Sequence, residues 1–367
     1  MKVTVLSHDL STNAGRRTHR LAGAIGTFAD VKLIGPESRS RKWLELPDDP
    51  GVVTVRKRRF PEFHESFAEL VEAADGDVLV AVKPHLASFG VALVAAELRD
   101  VPVILDIDDL DVALSPRSEW IHDPAKRDLS RPKSPVYVSL LTRATGAASA
   151  VTVCCRALQR RFGGTVIPQP VDTDSFDPAR ADRDRARHDL GLDGPTVLFP
   201  GVPRRHKGLE LLAEAVARVA GARLAVTCRQ EDLAGPLWER LPVTRLPQVP
   251  YASAPALYAA ADVVAIAQLD TDAARHQMPL KAVDAMAMGR PIVASAVSDL
   301  PELLDGCGRI VPPGDVDALA AAIGELLADA DQASELGANA RARCLERCSY
   351  RRVGERLSGV VRAVASP

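Results

Sequence analysis

The chain has 367 residues, 47% of them hydrophobic and 26% charged, with a formal net charge of −2. That length suffices for two ordinary domains, each with its own core, and the near-neutral balance gives no basic excess of the kind that marks nucleic-acid binding. No run approaches the eighteen apolar residues of a membrane-spanning helix, and the six cysteines, without a CxxC pair or a nearby histidine at metal-ligand spacing, read as buried or free thiols.

The opening "MKVTVLSHDL" reads as a first strand, because its apolar run is too short and interrupted for the core of a signal peptide; a cytoplasmic protein is expected. The runs "VTVLS", "DVKLIG", "DVLVAV", "VPVILDI", "AVTVC" and "GTVIP" follow one another with helical patterns between them, the alternation of a parallel α/β sheet. The stretch "VRKRRFPEFHESF" (55–67) sets four cations beside three phenylalanines. It is either a solvated connection or a site of peripheral contact with the inner face of a membrane. Residues 115–135, "SPRSEWIHDPAKRDLSRPKSP", form a long polar connection suited to a mobile lid. Dense charge, Pro and Gly over 170–195 then signal a domain linker.

The second half repeats the rhythm in "PTVLFPG", "RLAVTC", "DVVAIA", "PIVAS" and "GRIVPP". Two doubly wound domains are therefore expected, facing a central cleft. Ligands of such sheets lie beyond the carboxyl ends of the strands, which points to loops 9–16, 106–111, 201–208 and 268–280.

Two segments carry chemistry. In "VLFPGVPRRHKGLELLAEAVARV" a strand runs through Gly201 and Pro203 to Arg204, Arg205 and Lys207 and then into a helix. Cations beside free backbone N–H groups suit a phosphate, although a solvated basic turn has the same appearance. In "RHQMPLKAVDAMAMGRPIVAS" a helix is expected over 280–288, begun near Pro279. Unpaired N–H groups around Met278, Pro279, Leu280 and Lys281 can hold a diphosphate. Asp284, one turn on, is either a carboxylate for ribose hydroxyls or a charge favoured by the helix dipole.

The second half resembles the family 4 glycosyltransferases of GT-B fold, in order through "GVPRRHKGLELL", "LPQVPYASAPALYAAADVVAIA", "MPLKAVDAMAMGRPIVAS", "SDLPELL", "GRIVPPGDVDALAAAI" and "LGANARARCLERCSYRRV". The first half is similar through "GRRTHRLAGAI", "DVLVAVKPHLASFGVALVAAELRDVPVILDIDD" and "AVTVCCRALQRRFG" with "VIPQPVDTDSF". The resemblance implies an acceptor-binding domain over 1–175, a donor-binding domain over 176–350, and a helix at 351–367 crossing back to the first domain. It further implies transfer of a sugar from a nucleotide diphosphate sugar to a small-molecule, lipid-linked or glycan acceptor, with retention and with neither cofactor nor metal. Lys207, helped by Arg204 or Arg205, would hold the donor diphosphate and Asp284 the ribose. The backbone near Val249 would face the base, and Gly15 would approach the phosphates from the first domain.

Three positions depart from the family pattern. Its paired glutamates, eight residues apart, fall on His276 and Asp284. A histidine after the fourth strand is replaced by Asp108, flanked by Asp106, Asp109 and Asp111. These acids can bind acceptor hydroxyls or an amine, assist deprotonation, or orient Arg16, Arg17 or Lys83; Asp108, Asp109 and His276 are the catalytic candidates. Gln169-Pro170 stands where Asn-Gly is usual, stiffening a hinge. The other reading is a catalytically degenerate GT-B protein that binds sugar nucleotides or activates a true transferase.

Overall fold

The computed structural model describes residues 1–12, 15–38, 51–114, 123, 127–233 and 236–366; most of the proposed lid, 115–122 and 124–126, lies outside them. The chain divides into two compact units, Met1–Pro170 with Tyr350–Pro367, and Val171–Ser349. None of the described helices is long and apolar enough to cross a membrane.

In the first unit the described residues form a seven-stranded sheet of β1 (Lys2–Leu6), β2 (Asp30–Glu37), β3 (Val52–Arg56), β4 (Val78–Val82), β5 (Val103–Ile107), β6 (Ala150–Val153) and β7 (Thr165–Val166), in the order β3-β2-β1-β4-β5-β6-β7. All its pairings are parallel. The central strands read as unbroken apolar runs because both faces are covered: every residue of β4 and β5 is buried. One face packs under the helices Gly15–Ile25 and Tyr350–Ala365, whose Leu21, Ile25, Val353, Leu357 and Val361 join Val3, Val5, Val78 and Val80 in one core. The two helices meet at a contact only glycine permits. A Cβ on Gly354 would lie 2.1 Å from Thr27 Oγ1 and 2.5 Å from the Ala24 carbonyl oxygen.

The second unit holds a sheet of β8 (Thr196–Phe199), β9 (Arg223–Thr227), β10 (Val243–Leu246), β11 (Val263–Ile266), β12 (Ile292–Ser295) and β13 (Arg309–Val311), ordered β10-β9-β8-β11-β12-β13 and again parallel throughout. Its core gathers Val197, Phe199, Leu212, Val216, Leu224, Val263 and Ile323.

The charged stretch read as a linker is folded into this unit. Asp182 caps a helix over Arg183–Asp189 by accepting the Arg185 N–H, and Arg183 and Arg187 both pair with Asp262. Phe176, 1% exposed, is inserted beside Tyr251 and Tyr258. Its high charge serves ion pairs on a folded surface, so composition alone looked like a tether.

Candidate functional site

Each sheet reverses its strand order once, between β1 and β4 in the first unit and between β8 and β11 in the second. At such a reversal the loops beyond the carboxyl ends diverge and leave a crevice. Most of the candidate residues follow the strands at these two reversals or the strand next to them; Val249 follows the edge strand β10.

In the second unit, β8 ends at Phe199, and Lys207 closes a single 3-10 turn over Arg205–Lys207. Its ammonium donates to the Val202 carbonyl at 2.9 Å, while Arg204 and Arg205 are exposed. Gly201 donates its N–H to Thr227 Oγ1 at 2.6 Å, which ties the loop to β9. The glycine after Lys207 is obligatory: Gly208 has φ +62°, and a Cβ there would sit 2.0 Å from the Ala267 carbonyl oxygen. That close approach clamps the lysine loop onto the chain leaving β11.

The segment after β11 supplies the second half of this site. Pro279 caps the helix Leu280–Ala287 in an extended conformation, with Met278 and Pro279 buried before it. Lys281 is 8% exposed, and its Nζ has no hydrogen-bond partner; it lies 4.0 Å over the Phe199 ring. Burial, and then the charge of Lys207, hold its ammonium well below the usual lysine value. Two lysine side chains thus converge at the β8/β11 reversal, one of them buried against an aromatic ring. Asp284 is 1% exposed and accepts from the Tyr258 hydroxyl at 3.3 Å, so its carboxylate lies inside the unit. His276 follows the short helix Asp272–Arg275 and turns its Nδ1 back to the Asp272 carbonyl at 2.8 Å. Val249 is half-buried in the connection after β10.

In the first unit the four acids after β5 separate into two roles. Asp106 faces the interior and forms a bidentate pair with Arg17, at 2.7 and 2.8 Å, neither side chain exposed; it also accepts from Thr152. Arg17 reaches on to Gln169 Oε1 at 2.9 Å. Asp106 is therefore structural. Gly15 opens the helix that carries Arg17 and is itself buried.

Asp108, Asp109 and Asp111 surround Lys83 instead, at 3.4, 2.5 and 3.1 Å from its Nζ. Lys83 is buried and has φ +69°, a conformation that costs about 1–3 kcal/mol in a residue with a Cβ. Burial would lower the lysine's pKa, but the three carboxylates overcome it and hold the ammonium well above its ordinary value. Burial and the charge of Asp109 push Asp108 up to about 7, against the pull of Lys83 and Arg17. Asp111 goes the other way despite its burial, because Lys83 and a 2.9 Å contact with His85 Nε2 favour its ionised form. One carboxyl poised near neutrality beside a fixed cation can exchange a proton with a bound hydroxyl.

Residues 12–172 match the model for the glycosyl transferase 4-like domain, and 194–329 match that for glycosyl transferases group 1. The chain belongs to the family 4 glycosyltransferases, of GT-B fold. A GDP-mannose-dependent alpha-(1-6)-phosphatidylinositol monomannoside mannosyltransferase of Mycolicibacterium smegmatis is 32% identical over 253 residues, spanning 61% of this chain and 65% of the relative. A D-inositol 3-phosphate glycosyltransferase of Mycobacteroides abscessus is 31% identical over 175 residues, 44% of this chain and 38% of its own. The match thus takes in between about two fifths and two thirds of these relatives' length. Among solved structures, Anabaena HepE with UDP and glucose aligns with TM-score 0.72 at 19% identity, over 99% of this chain and 100% of that one. Sucrose-phosphate synthase of Thermosynechococcus elongatus aligns at 0.69 and 22%, over 99% and 98%.

Within this family frame the first unit has one more feature that no sequence motif marked. His8, just after β1, stacks on His85, just after β4, with ring centroids 4.1 Å apart and planes 20° from parallel. The Nδ1 atoms of both lack a partner. They line a partly open pocket with Lys57, Arg58 and Lys133 and with walls of Pro36, Phe63, Ala87 and Pro132. The signal was present in "SHD" and "KPH", two histidines at carboxyl ends of strands that turn out to flank the reversal. The phenylalanines of the 55–67 stretch pack on one another, Phe60 on Phe63 and Phe63 on Phe67.

Proposed function

We propose that the protein transfers a sugar from a nucleotide diphosphate sugar to an acceptor hydroxyl or amine, with retention at the anomeric carbon and without a required metal ion. The observation that carries this reading is the pair Lys207 and Lys281, two lysine side chains converging at the strand reversal of the second unit, where an incoming diphosphate would favour the charged form of both. A departing nucleoside diphosphate gains negative charge as the glycosidic bond breaks, and fixed cations with helix N–H groups stabilise that charge. The second unit would then be the donor-binding domain, with Arg204 and Arg205 assisting from the exposed turn. The backbone of Gly201, Met278, Pro279 and Leu280 would line the phosphates, Val249 would lie towards the base, and Asp284, oriented by Tyr258, towards the ribose. The first unit would bind the acceptor. There Asp108 would take the acceptor's proton, Asp109 and Lys83 would hold Asp108 in place, and Gly15 would leave room for the phosphates. His276 would stand beside the transferred sugar.

Support comes also from the relatives' names, which specify GDP-mannose for one of them, and from the UDP and glucose bound in the HepE structure. The test is thermal stabilisation of the pure protein by nucleoside diphosphates and nucleotide sugars, since a ligand of the native state raises Tm. One base should raise Tm in the parent chain, and Lys207→Ala should abolish most of that shift. An equal shift in the Lys207 variant would remove the diphosphate assignment. Binding without turnover or donor hydrolysis would favour the degenerate, activating reading, for which His276 in place of an acid is the motive.

A further inference from the structure

The pocket between the two stacked histidines and Lys57, Arg58 and Lys133 has no place in the donor chemistry. It opens from the first unit alone, at the carboxyl ends of β1, β3 and β4, and it touches the Asp108 cluster through His85, whose other nitrogen contacts Asp111. Resting on the transferase reading, we infer that this pocket receives a phosphate group carried by the acceptor, and so anchors the acceptor beside Asp108.

Three features support an anion. The Nδ1 atoms of half-buried His8 and buried His85 are without partners, and a phosphate oxygen accepts from whichever of these rings carries its proton on Nδ1. The surroundings of His8 are electropositive: burial, then His85, Lys83 and Lys133, hold it well below the usual histidine value, against Asp111 alone. The rest of the lining is apolar, Pro36, Phe63, Ala87 and Pro132, and on that side water is displaced and the attraction of an anion to the cations is strengthened.

The carboxylates that meet Lys57 and Arg58 do not use up their donors. Asp9 takes one contact of Lys57, at 2.5 Å. Glu65 and Glu69, which reach Arg58 at 3.4 and 3.0 Å, are half exposed. An ammonium and a guanidinium keep further N–H donors after such contacts.

The experiment is calorimetric titration of the full chain with glycerol 3-phosphate, with glycerol as the uncharged control. In parallel, phosphatidylinositol vesicles are sedimented against phosphatidylcholine vesicles. Lys57→Gln and Lys133→Gln are compared with the parent chain; Lys133 is exposed, so its loss leaves the fold intact. The ester should bind where glycerol does not, and each variant should weaken it at least tenfold while nucleoside diphosphate affinity stays the same. Ester binding without vesicle binding places the phosphate on a soluble acceptor. Vesicle binding that both variants lose places it on a lipid headgroup. Binding of neither, or binding that Lys133→Gln leaves unchanged, overturns the inference. Failure of nucleoside diphosphates alone would remove the transferase reading, while the ester titration still decides the pocket.

Discussion

Lys281 carries an electrostatic cost in the second unit: an amine 8% exposed, without a hydrogen-bond acceptor, beside a second lysine. The Phe199 face offsets part of that cost. Lys281→Met keeps the unbranched shape of the side chain, one atom shorter, and removes the charge, so it should stabilise the folded chain by about 1–3 kcal/mol while weakening nucleoside diphosphate binding. The pH dependence has a definite sign. Between the depressed folded value and the ordinary lysine range the unfolded chain binds more protons, so this residue makes stability rise with pH. Urea midpoints from pH 7 to 10 should climb more steeply in the parent chain than in the variant; parallel curves would show that the ammonium is solvated. Asp108 has the same sign at the level of activity. A carboxyl pushed up to about 7 loses its capacity as a base as pH falls below that value. Turnover should decline on the acid side of neutrality, and Asp108→Asn should lower the plateau by about 10²–10⁴-fold and flatten that limb.

Single elements explain which parts of the molecule could be read in advance. The central strands were plain because burial on both faces leaves nothing but apolar residues, as in β4 and β5. The edge strands β3 and β10 went unseen because each carries an exposed arginine, Arg56 or Arg245, the kind of charge that guards an unpaired edge. Site loops were legible wherever a motif is local, as with Lys207 and its obligatory Gly208. Pairings across long separations were not: nothing in "VILDIDD" tells which acid faces inward, and only the sheet shows that Asp106 belongs to Arg17, 89 residues away. That buried pair joins the helix Gly15–Ile25 to β5. Arg17→Met should destabilise by about 3–5 kcal/mol because it leaves Asp106 charged and unpaired. Adding Asp106→Leu should recover most of the loss, leaving the Thr152 hydroxyl, the Gln169 side chain and the Ile167 and Pro168 carbonyls to find new partners. Equilibrium unfolding of the two single variants and the double variant measures this, and simple additivity would contradict it.

At the scale of the whole molecule, the first unit is assembled from two distant pieces of chain. The helix Tyr350–Ala365 puts Val353, Leu357 and Val361 into its core, each at most 1% exposed. Burial of three such side chains is worth roughly 5–8 kcal/mol, comparable to the entire stability of many domains. A chain ended at Ser349 should therefore lose the cooperative melting of the first unit, while amide protection in the strands of the second unit persists. Hydrogen exchange resolved by peptide separates the two.

The same arrangement sets a timetable for biosynthesis. Residues 1–170 leave the ribosome long before the helix that completes their core, and the whole of Val171–Ser349 is made in between. At about 5–20 residues per second the nascent first half waits roughly 10–40 s with the groove along helix Gly15–Ile25 uncovered. The second unit, continuous in sequence, can finish folding first.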